Sequence, residues 1–372
     1  MSIEKSIRSQ SLDLLRFPLA IIVLVRHVFA YTSFTIYGTP IDVNQSPLLR
    51  EVNLFITGFL NDQSVPIYFF ISGYVFFLGR DFAKEVYLHK LTNRVKSLLI
   101  PYIIWNAITI LYTYSLRLPI FSSFFPNINK DASDLSISTV LSFFWNCNTD
   151  SMNTAIYPID GPLWFVRDLM ILVLFTPLLY YLVKRTKAIF IVSTAIIWFL
   201  FAYLHAGHFN QLATALFFFS FGAYMSIYKK DMLLYFNRYF TQSILLYFSL
   251  SLLYVASAHW FPMFTDTIKR LNILIGLYFA YNLSSYLIIK KKITVSKFLT
   301  ASSFFIYVTH CIIHKRLIQL TYSIINPTNE VAILSVYIVT TITLIGLLLG
   351  CFYLLQRFTP KFLQVITGRR MD

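Results

Sequence analysis

Arg16 and His27 stand eleven residues apart in the apolar run Leu12–Phe34, where a soluble-protein reading leaves no reason for either. Imidazole titrates near neutral pH and can take or give a proton, while guanidinium grips phosphate or carboxylate through a planar fork of donors. Eleven helical steps return to within about 20° of the same face, roughly 16 Å further along the axis. The two side chains therefore share one stripe, and Asp13, three residues before Arg16, can pair with it. Ionisable groups in a membrane span are costly and usually face a bundle interior or a watery cavity, so this stripe is the first candidate site. Ser303, Tyr307, His310 and His314 recur at four, three and four residues, which puts a second polar stripe on one helix. Arg167 and Asp168 lie a few residues into another apolar run, just after Trp164 and Phe165. As helical neighbours they point about 100° apart, so each is expected to pair with a different span, and Asp168 could orient His27 as the carboxylate of a dyad. Arg26, beside His27 but about 100° around the helix, is a further candidate cavity cation. Plainer structural readings stand beside these. Span histidines, serines and tyrosines can bridge helices, Arg16 can snorkel to the headgroups, Arg167 and Asp168 can be inter-helix ion-pair partners, and Trp164 fits an aromatic belt.

The elements that position these residues must be membrane spans. The 372-residue chain is 57% hydrophobic and 13% charged, with a mean hydropathy of +0.65. That is more apolar surface than one soluble core could hide. Windows of about 19 residues give about ten spans. They fall at 12–34, 65–79, 98–116, 162–183, 188–204, 212–228, 240–258, 268–289, 299–323 and 331–355. The run Leu135–Trp145 is too short to cross and reads as an interfacial or re-entrant piece. The expectation is an all-α polytopic membrane protein, one membrane domain over residues 1–372 with no fused soluble domain. Most of the 31 lysines and arginines fall on one side, among them Arg80, Lys84, Lys90, Arg94, Lys96, Lys184, Arg185, Arg238 and Lys290. Asp42, Glu51, Asp160, Asp266 and Glu330 fall on the other. The positive-inside rule then puts both termini in the cytoplasm. The net charge of +15 is scattered over short loops and forms no footprint for nucleic acid. The first span is long, charged and without a small-residue cleavage site, so it is not a removed signal. Cys147, Cys311 and Cys351 have neither paired nor metal-site spacing, so no disulfide and no metal are expected. The outer segments 36–64 and 117–160 are places where a ligand could be gripped.

Ser11-Leu-Asp-Leu-Leu-Arg16, ten further residues and His27 form a pattern that resembles the opening signature of acyltransferase family 3, integral-membrane enzymes that O-acylate bacterial surface glycans. The run Ile67–Tyr74, with Ser72 and Gly73, resembles the family's second-span motif. The basic loop His89–Lys96 before Pro101 and Tyr102 resembles its Arg-rich loop. Gly161-Pro-Leu-Trp164-Phe165 resembles the mid-chain tryptophan motif, and Ser303–His310 the late span that ends in a histidine. Order and spacing agree from residue 11 to about 315. One departure is Lys90, which stands with Arg94 where the family usually carries two arginines. Lysine keeps the charge and loses the bidentate fork.

Acyl transfer from a thioester to a sugar hydroxyl needs a base near the alcohol, stabilisation of the oxyanion and an anchor for the charged end of coenzyme A. The resemblance therefore implies His27 as base, with Asp168, His310 and Arg16 completing the catalytic group. Arg16, Arg94, Lys90 and Ser72 would hold acetyl-CoA, or a similar acyl-CoA, at the cytoplasmic side. Trp164, Arg167, Tyr307 and Arg26 would contact the acceptor, a glycan of the bacterial envelope, in the cytoplasmic membrane. The oxyanion donor is not readable. The rival expectation is a glycan exporter or small-molecule transporter on the same bundle, against which stands the lack of an internal repeat.

Overall fold

The computed structural model describes residues 2–36, 38–61, 63–79, 82–116, 136–147, 155–203, 207–230 and 239–369. Arg80, Arg117, Lys130, His205, Arg238 and Arg370 lie outside them, as does much of the expected outer segment 117–160. Helix α1 (Ser2–Ala30) leads into an antiparallel hairpin, β1 (Ser33–Ile36) and β2 (Thr39–Asp42). Helix α2 (Pro47–Ile56) continues as a π turn, Thr57–Asn61, before α3 (Ser64–Phe77). Helix α4 (Lys84–Arg94), a second π turn (Val95–Leu99) and α5 (Ile100–Ser115) form one continuous rod. The short α6 (Ile137–Ser142) occupies the run expected to be too brief to span. There follow α7 (Trp164–Leu174), α8 (Thr176–Thr186), α9 (Ala188–Tyr203), α10 (Gly207–Ile227), α11 (Phe240–Trp260), α12 (Pro262–Ile289), α13 (Lys297–Ile325), α14 (Glu330–Phe358) and α15 (Pro360–Ile366).

Local chemistry sets the boundaries. Ser46, Ser296 and Asn329 cap α2, α13 and α14 by accepting from Leu49, Leu299 and Ala332 backbone N–H groups, and Pro47 opens α2 where no donor is needed. Asn326 ends α13 in the left-handed region, at φ 47°.

Among the described residues, four helices are long and apolar enough to cross a membrane: the α4–α5 rod, α11, α12 and α14. The segment 161–174 and α8, bent by 66°, make a fifth if read as one broken span. Helices α1 and α13 have 29 residues each, ample length at 1.5 Å per residue, but carry the two polar stripes. The outer faces of α9, α11 and α14 expose Ile189, Ile196, Leu245, Leu252 and Ile342, a belt suited to lipid. The chain is an all-α membrane protein.

Lipid tails are as apolar as leucine, so helices associate here by close fit and polar contact rather than by hydrophobic exclusion. Gly73 on α3 and Gly222 on α10 supply the fit. A Cβ on Gly73 would strike the Phe219 backbone, and one on Gly222 the Phe70 backbone. The second-span motif thus places its glycine at a backbone-to-backbone crossing. Helix α1 packs against α12, α13 and α14. It contributes Leu12, Leu15, Leu19 and Val23 to one apolar cluster and Leu24, Val28 and Phe29 to another.

Candidate active site

Two chambers meet at the Tyr307 side chain. The inner one, about 280 Å³, is lined by Arg16 from α1, Ser72 from α3, Arg94 and Ser97 from the α4–α5 rod, and Ser303 from α13. Arg16 pairs with Asp13 at 3.3 Å, the i, i+3 contact its spacing allowed. Two guanidiniums and several hydroxyls in one small space suit a phosphate-bearing group. Lys90 does not line this chamber. Its Nζ donates to the Phe76 carbonyl and sits 5.2 Å over the Phe76 ring.

The outer space has two lobes that share His27, Ala30, Tyr157, Pro162 and Trp164. The larger, about 630 Å³, adds Arg26, Trp198, Asn210, Gln211, Asp266 and Arg270. Arg26 donates to Asn53 Oδ1 at 3.2 Å. Arg270 donates to Asn210 Oδ1 at 2.7 Å and stacks 4.6 Å over Trp198, whose indole N–H donates to Thr214. Amides, hydroxyls and aromatic platforms around a cavity of this size suit a sugar. The smaller lobe, about 530 Å³, adds Tyr31, Cys147, Cys311, His314 and Lys315.

His27 is half-buried at the junction of the lobes, and the second stripe stands behind it. Its ring centroid lies 5.1 Å from that of His310 and 6.2 Å from that of His314. His310 is fully buried and lines neither lobe. Its Nδ1 donates to the Ile306 carbonyl at 3.1 Å, and the Nδ1 of His314 donates to the His310 carbonyl at 3.2 Å. A carbonyl only accepts, so each ring keeps a lone pair on Nε2. The Cys311 thiol lies 3.3 Å from His310 Nε2. The donor atoms of His27, His310 and Cys311 fall within 4.8 Å of one another. Spacing along the chain had argued against a metal; these donors converge across α1 and α13, where linear spacing carries no information.

The septum between the chambers is aromatic. Tyr307 donates to the Pro162 carbonyl, Tyr68 donates to the Arg16 carbonyl at 2.6 Å, and Tyr68, Phe165 and Tyr307 rings lie against one another.

Arg167 and Asp168 do not reach out to separate spans as expected. They bind each other: Arg167 Nε and Nη2 both lie 2.8 Å from Asp168 Oδ1. Four flexible bonds let a guanidinium fold back over the adjacent residue, which the direction of the two Cα–Cβ bonds does not reveal. Arg167 Nη1 also donates to the Trp145 and Ile156 carbonyls, so this pair fastens the loop before α7. Neither residue lines a chamber, and the Asp168 oxygen in hydrogen-bond contact is held by Arg167 rather than by His27.

Sequence reasoning missed three residues. Arg270 gave the same signal as Arg16, a cation in an apolar helix, but it stands at the edge of the expected span 268–289 and was not among the candidates. Asp160 read as an ordinary outer acid; it is 1% exposed, both its carboxylate oxygens are buried without a hydrogen-bond partner, and burial pushes its carboxyl well above the usual carboxylate range. Cys311 read as an isolated span thiol.

A membrane bundle with one chamber suited to phosphate and another suited to a sugar, meeting at Tyr307 with His27 in the wall of the second, has the layout of a transferase. The chain matches the family model described as an acyltransferase domain over residues 9–354 and belongs to that family, acyltransferase family 3. It is an acyltransferase. It is 24% identical over 348 residues to the succinoglycan biosynthesis protein ExoH of Rhizobium meliloti (strain 1021), an alignment covering 92% of this chain and 88% of that one. No solved structure matches it.

Proposed function

We propose that this enzyme moves an acetyl or similar acyl group from cytoplasmic acyl-CoA to a sugar hydroxyl of an envelope polysaccharide or glycolipid, with His27 as general base. The observation that carries this reading is the division of the site at Tyr307. Arg16, Arg94 and Ser72 line the inner chamber, and His27, Arg26 and Trp164 line the outer one. In the ten-span, cytoplasmic-termini topology, the nucleotide phosphates bind Arg16 and Arg94, and the pantetheine arm runs past Tyr307 toward His27. Lys90 adds positive charge near the entry without gripping the phosphates. The acceptor sugar stacks on Trp164 in the outer space, which opens away from the cytoplasm.

His27 takes the proton of the acceptor hydroxyl as the oxygen attacks the thioester carbonyl. The tetrahedral intermediate then expels the coenzyme A thiolate, which recovers that proton from the imidazolium. His310 is a positioning residue that packs behind His27, and Arg167 with Asp168 holds the loop that frames the outer chamber. The relative is named for succinoglycan biosynthesis, which supports a polysaccharide acceptor here.

The test compares envelope glycan acylation by mass spectrometry in wild type, His27→Ala and Arg16→Ala at matched membrane levels. Loss of a general base lowers turnover by ~10²–10⁴-fold, so His27→Ala is expected to abolish modification. Arg16→Ala is expected to raise the KM for acyl-CoA and to reduce modification strongly. Acylation that persists in His27→Ala refutes the base, and glycan that is exported without being acylated points to a transporter.

A further inference from the structure

Cys311 has no place in the reaction above, yet its thiol faces the same lobe as His27. Three features make the surroundings more than a lone cysteine. The donor atoms of His27, His310 and Cys311 lie within 4.8 Å of one another, and the Cys311–His310 pair is already at 3.3 Å. Tetrahedral zinc, with bonds of about 2.0–2.3 Å, sets its donors roughly 3.3–3.8 Å apart, so small side-chain rotations close the difference. His310 is also arranged as metal-binding histidines are: its Nδ1–H is fixed on the Ile306 carbonyl, which fixes the tautomer and presents the Nε2 lone pair. Finally, Cys311 and His27 both line the 530 Å³ lobe, which provides an entry path and an open fourth position.

We propose that His27, His310 and Cys311 form a binding site for a thiophilic divalent cation of the zinc class, and that its occupancy silences the base. Lys315 lines the same lobe, so a hard ion held mainly by charge, such as magnesium or calcium, is disfavoured. A soft ion gains from the thiolate and two imidazoles instead. On binding, the thiol proton leaves to water, sulfur and two nitrogens donate to the metal, and the His27 lone pair that would accept the acceptor's proton is occupied. The silencing rests on His27 acting as base; the binding does not.

The test uses the full-length protein in lipid nanodiscs, carrying Cys147→Ser and Cys351→Ser so that Cys311 is the one thiol. Titration with Cd2+ should develop an ultraviolet thiolate-to-cadmium charge-transfer band that saturates at one ion per chain. The band should vanish in Cys311→Ser, and in Cys311→Ala should serine perturb insertion. Transfer by the Cys311 protein should be inhibited by Zn2+, with the inhibiting concentration, read against each variant's own metal-free rate, rising about tenfold or more in the Cys311 variants. No band with Cys311 present, or equal Cd2+ binding without it, overturns the site. Equal Zn2+ inhibition with and without Cys311 overturns the silencing. Loss of all transfer in the metal-free protein would count against the base chemistry, while the Cd2+ band still judges the site.

Discussion

Asp160 buries an acid for which its own side chain finds no hydrogen bond. Its folded-state value lies above the ordinary one of about 3.9, raised by burial, so the unfolded chain releases this proton at lower pH than the folded one. Stability therefore falls as pH rises through the window that begins near pH 4, and the loss persists above it. Asp160→Asn is expected to raise the thermal unfolding temperature at pH 8, with the gain shrinking toward pH 4. An equal gain at both values would refute the assignment. The Arg167–Asp168 pair behaves differently, because side chains that are 2% and 0% exposed cannot be halved cheaply. Arg167→Met should cost about 3–5 kcal/mol by stranding the carboxylate, and Arg167→Met with Asp168→Leu should recover part of that. Denaturant titration in detergent reads both. At this scale the sequence singled out Arg16 and His27 by helical period, and the structure sets them in the two cavities that meet at Tyr307. It hid the Arg167–Asp168 contact and the Cys311 cluster, which depend on side-chain flexion and on a second helix.

Helices α3 and α10 depend on two glycines in a way no side chain can replace. Gly73→Val or Gly222→Val puts methyl groups into the facing backbone and is expected to destabilise the bundle by at least about 1–3 kcal/mol. The drop should appear as lower membrane levels and earlier unfolding. Gly346 on α14 meets nothing within 4 Å, so its alanine variant serves as the silent control. Element types were legible from apolar run length, and the short α6 from its brevity. Pairing was not, because nothing in a linear chain says which helix meets a packing glycine. The two stripes also explain why α1 and α13 are too polar to stand out as spans: their ionisable and hydroxyl side chains lower the hydropathy of both helices.

The arrangement of the whole molecule leads to a directional prediction. If both termini are cytoplasmic and ten spans cross, alkaline phosphatase fused after Asn326 should be active and a fusion after Arg369 inactive. Acyl-CoA supplied to the face bearing the termini should support transfer, and acyl-CoA supplied to the opposite face should not. Either reversal refutes the topology. Charge placement along the chain is what the orientation prediction rests on, whereas the outer chamber was unreadable because Arg26, Trp198, Asn210 and Arg270 come from four helices. The aromatic partition of Tyr307, Tyr68 and Phe165 has one more consequence. A catalyst with water-filled mouths on both faces of an energised membrane would short-circuit the proton gradient were those mouths to join. If the proposed donor route and topology hold, the Tyr307–Pro162 hydrogen bond would act as a seal as well as a waypoint, and Tyr307→Gly should let protons leak through vesicles that wild-type protein leaves tight.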